Sequence, residues 1–233
     1  MEGNLGHDVP LYPLGKRQSI EQRVAQSLRE LIVSGHLKEG TPLVQRELAA
    51  RLGVSQTPIR AGLSQLEREG FVVLGPTGRA VVNRLTREDF EEIYALRYGL
   101  EGLAARAGAP AVGPDELDEM REHLALLRSA ARDQDVDAYL GLRWHFYSAC
   151  YRASGRQRLL AEVERLYDRS ERYNRIVLST PRRFRESVGR YAAFLAACKA
   201  RDGAAAERTV QESLSWAVER VAGDLPSESE TEE

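Results

Sequence analysis

The chain has 233 residues, 42% of them hydrophobic and 29% charged, with a formal net charge of −2. That length can bury a real core in one or two domains, and the composition is that of a globular protein. No apolar run approaches the roughly 20 residues needed to span a bilayer, and the opening MEGNLGHDVP has neither the basic start nor the apolar stretch of a secretory signal, so the sequence argues against membrane insertion and secretion and for a cytoplasmic protein.

In chain order, residues 1–16 carry Pro10 and Pro13 and read as a loose arm. Ile20 to Val33 places Ile20, Val24, Leu28, Leu31 and Ile32 on one helical face, and Gly35 ends that helix. Glu39-Gly-Thr-Pro42 is a turn signal. The stretch RELAARLGVSQTPIRAGLSQLEREG, residues 46–70, predicts a short helix over Arg46–Leu52, a break at Gly53 and a second helix running to Glu69. Helix, tight glycine turn, helix is the pattern of a helix-turn-helix, whose second helix reads the DNA major groove. Thr57 is the expected N-cap of that helix, with Pro58 at its first position. Phe71–Leu74 and Ala80–Val82 predict two strands around Gly75-Pro-Thr-Gly-Arg79, a hairpin placed as a wing.

Charge agrees with this placement. Between Lys16 and Leu85 eleven basic residues stand against six acidic ones, and the rest of the chain carries the compensating negative charge. A basic module on an acidic body suits phosphate binding by one part only. Ser55, Gln56, Thr57 and Arg60 cluster at the start of the reading helix, where base edges come within reach, while Ile59, Leu63 and Leu66 face its core. Arg46 would approach the backbone from the preceding helix, and Thr77, Gly78 and Arg79 would do so from the wing.

From Thr86, a candidate N-cap with Asp89 three residues on, the pattern is helical to about Gly223. Breaks at 108–114, 133–137, Gly155, 179–181 and 202–203 delimit about six helices. The end, LPSESETEE, is acidic and reads as disordered. Cys150 and Cys198 make no disulfide framework and read as buried thiols. No nucleophile–base pair, phosphate loop or metal cluster supports an enzyme.

Two resemblances narrow this reading. Residues 19–84, through LRELIVSGHLKEGTPLVQRELAARLGVSQTPIRAGLSQLEREGFV and GRAVV, resemble the winged-helix domain of the GntR family of bacterial regulators. The resemblance implies that Arg46, Ser55, Gln56, Thr57, Arg60 and Gly78 touch DNA. It also marks two departures: the family usually has Arg where Gln56 stands, and Glu-Ala where Ala61-Gly62 stand. Residues 88–222, through DFEEIYALRYGLEGLAARAGA, FYSACYRASGRQRLL and ESVGRYAAFLAACKARDGAAAERTVQESL, resemble the all-helical effector domain of the FadR-like (FCD) branch. The implied architecture is mainly α, with an N-terminal winged helix-turn-helix over 17–85, a helical effector and dimerisation bundle over 86–224, and a tail over 225–233.

Many members of that branch hold a divalent metal through one Asp and three His. Alignment puts Arg143, Tyr147, Tyr191 and Ser213 at those four positions, and none of the four histidines His7, His36, His123 and His145 matches one. The expectation is therefore no metal and no cofactor. A buried Arg needs a partner. Either Arg143, with Arg97, pairs with the carboxylate or phosphate of a small effector while the tyrosines donate hydrogen bonds, or Arg143 pairs internally with an acid such as Glu101. The functional expectation is a homodimeric repressor that binds a double-stranded operator and answers to a small anionic effector. The alternative is an effector-independent DNA-binding regulator with a degenerate pocket.

Overall fold

The computed structural model describes residues 19–75 and 79–227. Two separate apolar cores divide them, one built from residues between Val24 and Val82, the other from residues between Leu85 and Leu225. The expected arm over 1–16 and the residues of the acidic tail from 228 lie outside the described residues.

The first core is closed by three helices and a small sheet. α1 (Ile20–Val33) begins with a capping box at Ser19 and Gln22. Its Val24, Leu28 and Ile32 are buried as expected, but Ile20 and Leu31, read from the sequence as part of the same face, stand exposed. A helix lying on a small three-helix core covers a narrower stripe than its apolar residues could fill. α2 (Gln45–Leu52) ends at Gly53, whose φ of 66° is the left-handed conformation that turns the chain into α3 (Gln56–Arg68). Ile59, Leu63 and Leu66 of α3 are fully covered.

Two expectations about this module are corrected. The N-cap of α3 is Ser55, not Thr57, so Pro58 occupies the third helical position. The missing N–H of Pro58 still falls where no intrahelical acceptor exists, so proline costs nothing there. The sheet has three strands, not two: β1 (Pro42–Leu43), β2 (Val72–Leu74) and β3 (Ala80–Val82) pair antiparallel in the order β1-β3-β2. The turn signal at 39–42 concealed β1, a two-residue strand too short to show a period.

The second core is an all-helical bundle: α4 (Arg87–Gly108), α5 (Pro114–Asp133), α6 (Val136–Ala153), α7 (Gln157–Arg169), α8 (Glu171–Val177), α9 (Pro181–Lys199) and α10 (Gly203–Val221). Thr86 caps α4, accepting the Asp89 N–H at 3.3 Å. Among the described residues the bundle has seven helices where the sequence suggested six. The additional break is at Ser170, between α7 and α8. Its N–H is shared between the carbonyls of Leu166 and Tyr167 at 3.0 and 3.1 Å, so the chain stays close to helical through it. No glycine or proline marks that break. Cys150 and Cys198 are buried free thiols.

Candidate functional site

Two groups of residues carry candidate chemistry, one on the surface of the winged module and one inside the bundle. On the surface, Ser55, Gln56, Thr57 and Arg60 are all exposed along the first turn and a half of α3. The Ser55 side chain makes no capping bond, and the N–H groups of Gln56 and Thr57 occupy first-turn positions that have no helical acceptor. Backbone donors, a free hydroxyl and the positive end of the helix dipole together suit a phosphate. Arg60 is exposed one turn further along the helix, and an arginine there is of the type that pairs with a guanine edge or a phosphate. Arg46 and Arg79, both exposed, line one groove of about 650 Å³ with Val44, Gln45 and Ala80, so the start of α2 and the base of the wing present arginine together. Thr77 and Gly78 lie outside the described residues.

Gly62 does not face DNA. It is buried where α3 crosses α1, and a Cβ built there would lie 2.9 Å from Val24 Cγ1 and 3.3 Å from both Ala25 N and Glu21 O. The departure at this position sets how closely two helices approach and leaves the reading face alone. At Gln56 the departure does fall on the exposed face, and it exchanges a guanine-reading type of side chain for an adenine-reading one.

The second group comes together inside the bundle. α4 supplies Tyr94, Arg97 and Glu101 from one inward face, and α6 supplies Arg143, Tyr147 and Tyr151 from another. Arg97 is fully buried and its Nε donates to Glu101 Oε1 at 2.6 Å, while its Nη1 donates to Ser170 Oγ at 3.0 Å. Burial opposes its charge, but the adjacent Glu101 carboxylate more than compensates and holds the guanidinium above its usual range. The second oxygen of Glu101 accepts from Tyr151 at 3.0 Å. Arg143 takes a different partner: its Nη1 donates to Asn174 Oδ1 at 2.8 Å, and Tyr94 donates to the same oxygen at 2.8 Å. The expected internal pair of Arg143 with Glu101 is therefore corrected, because the i, i+4 spacing on α4 gives Glu101 to Arg97.

Both guanidinium groups lie against the Tyr167 ring, at 5.2 Å for Arg97 and 5.8 Å for Arg143. Two cations thus share one carboxylate, since Arg143 has no ion pair among the described residues. Arg97 Nη2 and Arg143 Nε are buried donors with no acceptor. Tyr147 and Tyr191 pack at a ring separation of 5.3 Å, and Ser213 lies near enough to Tyr147 to act on its phenol, so the four aligned positions do converge. Burial, and then Tyr191, push the Tyr147 phenol up, so it stays a proton donor. A cation, two phenols and a serine are a poor donor set for a divalent ion, and no group of three His, Cys, Asp or Glu comes together among the described residues. His145 is exposed and stacks on His123 at 5.5 Å, away from this cluster.

Tyr94, Tyr151, Tyr167, Ser170 and Asn174 were not identified from the sequence. Inward spacings of 94, 97, 101 on α4 and 143, 147, 151 on α6 could have revealed the first two, because polar residues recur there at helical intervals. Nothing in the sequence placed α8 against them.

Comparisons with known proteins agree with both halves. The family described as "Bacterial regulatory proteins, gntR family" matches residues 20–82, and the FCD domain matches residues 92–215. The HTH-type transcriptional regulator McbR of Escherichia coli (strain K12) is 29% identical over 189 residues, covering 80% of this chain and 86% of McbR. The HTH-type transcriptional repressor RspR of the same organism is 23% identical over 208 residues, covering 89% and 91%. The solved structure of E. coli McbR/YncC superposes with a TM-score of 0.76 at 26% identity, covering 89% of this chain and 99% of that one.

Proposed function

The chain belongs to the GntR family of bacterial regulators, with an FCD domain as its C-terminal half, and we propose that it is a homodimeric repressor whose hold on its operator is relaxed by a small anion bound inside the bundle. It is a DNA-binding transcriptional regulator and not an enzyme. Operator contacts are assigned to Arg46, Ser55, Gln56, Thr57, Arg60 and Arg79, with Thr77 and Gly78 at the wing tip. As a regulator of DNA it works in the cytoplasm.

The single observation that supports an anionic effector is the surplus of buried positive charge. Arg97 and Arg143 have one carboxylate between them, and each retains a buried N–H without an acceptor. An uncompensated buried charge of this kind costs several kcal/mol, on the order of what a bound anion returns. A monoanion, such as a carboxylate, balances the charge of the cluster better than a dianion does. A filled core that takes no effector is the second reading, and the ion pair of Arg97 with Glu101 favours it. For the dimer, the support is the exposed Leu96 and Leu103, seven residues apart on one face of α4.

Fluorescence anisotropy with the DNA upstream of the protein's own coding sequence tests the reading. Specific binding that weakens on addition of small carboxylates is the expected result. Specific binding indifferent to every anion tried favours the second reading, and no specific binding sinks the operator assignment.

A further inference from the structure

Asn174 sits at the centre of the buried cluster, on the helix whose Arg172 also touches the winged module. Its Oδ1 accepts from Arg143 Nη1 and from Tyr94 Oη, both at 2.8 Å. Its Nδ2 donates to Ser170 Oγ at 3.1 Å, and that same hydroxyl oxygen accepts from Arg97 Nη1 at 3.0 Å. Arginine cannot accept a hydrogen bond, so the atom facing Arg143 must be the oxygen. The side chain is completely buried. A neutral amide oxygen therefore occupies the place where a charged oxygen would be held more strongly.

The helix that carries Asn174 is also the one that grips the DNA-binding half. Two residues earlier, on the other side of α8, Arg172 Nη1 donates to the backbone carbonyl of Asn83 at 2.9 Å, and its Nη2 lies 3.5 Å from Glu39. Glu39 in turn accepts the Leu85 N–H at 3.2 Å. Tyr173 donates to Asp89 at 2.8 Å and accepts the Thr86 N–H at 3.2 Å. Residues 83–86 connect the wing to α4, and Asp89 lies in the first turn of that helix. One short helix thus has its inner side on the two buried arginines and its outer side on the inter-domain connection.

We infer that Asn174 is an internal stand-in for the effector: the anion's oxygen displaces the Asn174 amide oxygen from Arg143 and Tyr94, and the released α8 carries Arg172 and its grip on Asn83 and Glu39 to a new position. This rests on the anionic-effector reading above. It gives Arg143 Nη1 and Tyr94 an acceptor in the unliganded state and gives the anion the differential contact without which no ligand shifts an equilibrium. It also assigns Asn174 and Arg172 as positioning residues, the first controlling ligand affinity and the second the transmission.

Three variants of the full chain test it, with formate, acetate and benzoate as probes and thermal melting and operator anisotropy as readouts. Asn174→Asp supplies a built-in carboxylate to Arg143. It should lose the probe-dependent melting shift of the wild type and, because the carboxylate holds α8 on Arg143, bind the operator no more weakly than the wild type and without any response to the probes. Asn174→Ala removes the competitor, should bind the probe more tightly than the wild type, and keeps the inference testable if the first variant does not fold. Arg172→Ala should keep the melting shift while its operator binding no longer answers to the probe. An Asn174→Asp protein that is folded and behaves as the wild type in both readouts overturns the inference, as does an Asn174→Ala protein of unchanged probe affinity or an Arg172→Ala protein with the wild-type response. A wild type that no probe stabilises fails at the earlier step and sinks the anion reading together with this one.

Discussion

The winged module and the bundle keep their polar chemistry in opposite places. In the module the interior is wholly apolar, closed by residues such as Leu28, Ile59, Leu63 and Leu66, and every assigned contact residue that is described stands on the surface. In the bundle the largest fully buried side chain is an arginine, Arg97, surrounded by Tyr94, Tyr151 and Glu101. Under the proposed function, the contact residues and the core are separable in the first region and are the same residues in the second. A surface that reads DNA must stay solvated until it meets the operator. A site that senses a small anion gains by being dry, because each charge–charge and hydrogen-bond interaction there is stronger than in water.

The largest expected effect lies in the bundle. Glu101→Gln leaves Arg97 and Arg143 buried together with no carboxylate, and breaking a buried pair this way costs about 3–5 kcal/mol. For a chain of this size that is a fall in melting temperature of about 10 °C. A fall of less than 2 °C, read by calorimetry, would mean that water reaches the two guanidinium groups and that the contrast between the regions is overdrawn. Added formate or acetate should recover part of the loss, because a bound anion replaces the missing charge.

Arg60→Ala is the counterpart in the module. Truncating an exposed arginine at a helix start leaves the core untouched, so the melting temperature should stay within about 1 °C. Operator affinity should fall by roughly 1–3 kcal/mol, or about fivefold to more than a hundredfold, measured by anisotropy at one stated salt concentration. If instead stability falls and affinity does not, Arg60 belongs to the fold and the separation fails for the module.

The same contrast governs what could be read from the sequence. The helix-turn-helix is local: Gly53, Ser55 and the apolar spacing of Ile59, Leu63 and Leu66 all lie within one short stretch, and turn chemistry and helical period identify it without knowledge of the rest. The reading misses by one or two residues, as with Thr57 for Ser55 at the cap, because Ser and Thr are both favoured at that position. The bundle site is assembled from positions far apart, Arg97 with Ser170 and Arg143 with Asn174. Periodicity says that Arg143 and Tyr147 share a face but not what the face meets. One of the two expected arrangements paired Arg143 with an acid such as Glu101, whereas the i, i+4 spacing on α4 gives that carboxylate to Arg97.

Gly62 gives a third, smaller effect that tests how tightly the module is closed. As an exposed helical position it would gain about 1 kcal/mol from alanine. Buried against α1, with a Cβ 2.9 Å from Val24 Cγ1, it should lose more than that to overpacking, for a net loss of about 1 kcal/mol. Urea unfolding of Gly62→Ala measures the sign directly. A gain in stability would mean that Val24 rotates away freely and that the α1–α3 contact is loose.

The seam between the regions yields the smallest effect and depends on pH. Asp168 of α7 lies near Arg29 and Glu69 of the winged module and near Glu164 and Glu171 of its own half. Partial desolvation at the seam, where Asp168 still keeps exposed surface, and then the three neighbouring acids acting against Arg29, push its carboxyl up to about 6 from the usual 3.8. A carboxyl raised in the folded state binds more protons folded than unfolded between those two values, so stability falls as pH rises through that window and stays lower above it. Asp168→Asn removes the group that titrates. Because the side chain is exposed to solvent, the gain is small: the variant should melt about 1 °C higher than the wild type at pH 7.5, with the difference closing towards pH 4. A difference of the same size at both pH values would show that the substitution acts through packing. An absent difference at pH 7.5 would show that the carboxylate is fully hydrated, and that the two halves meet through Arg172 and Tyr173 with no electrostatic strain between α7 and the winged module.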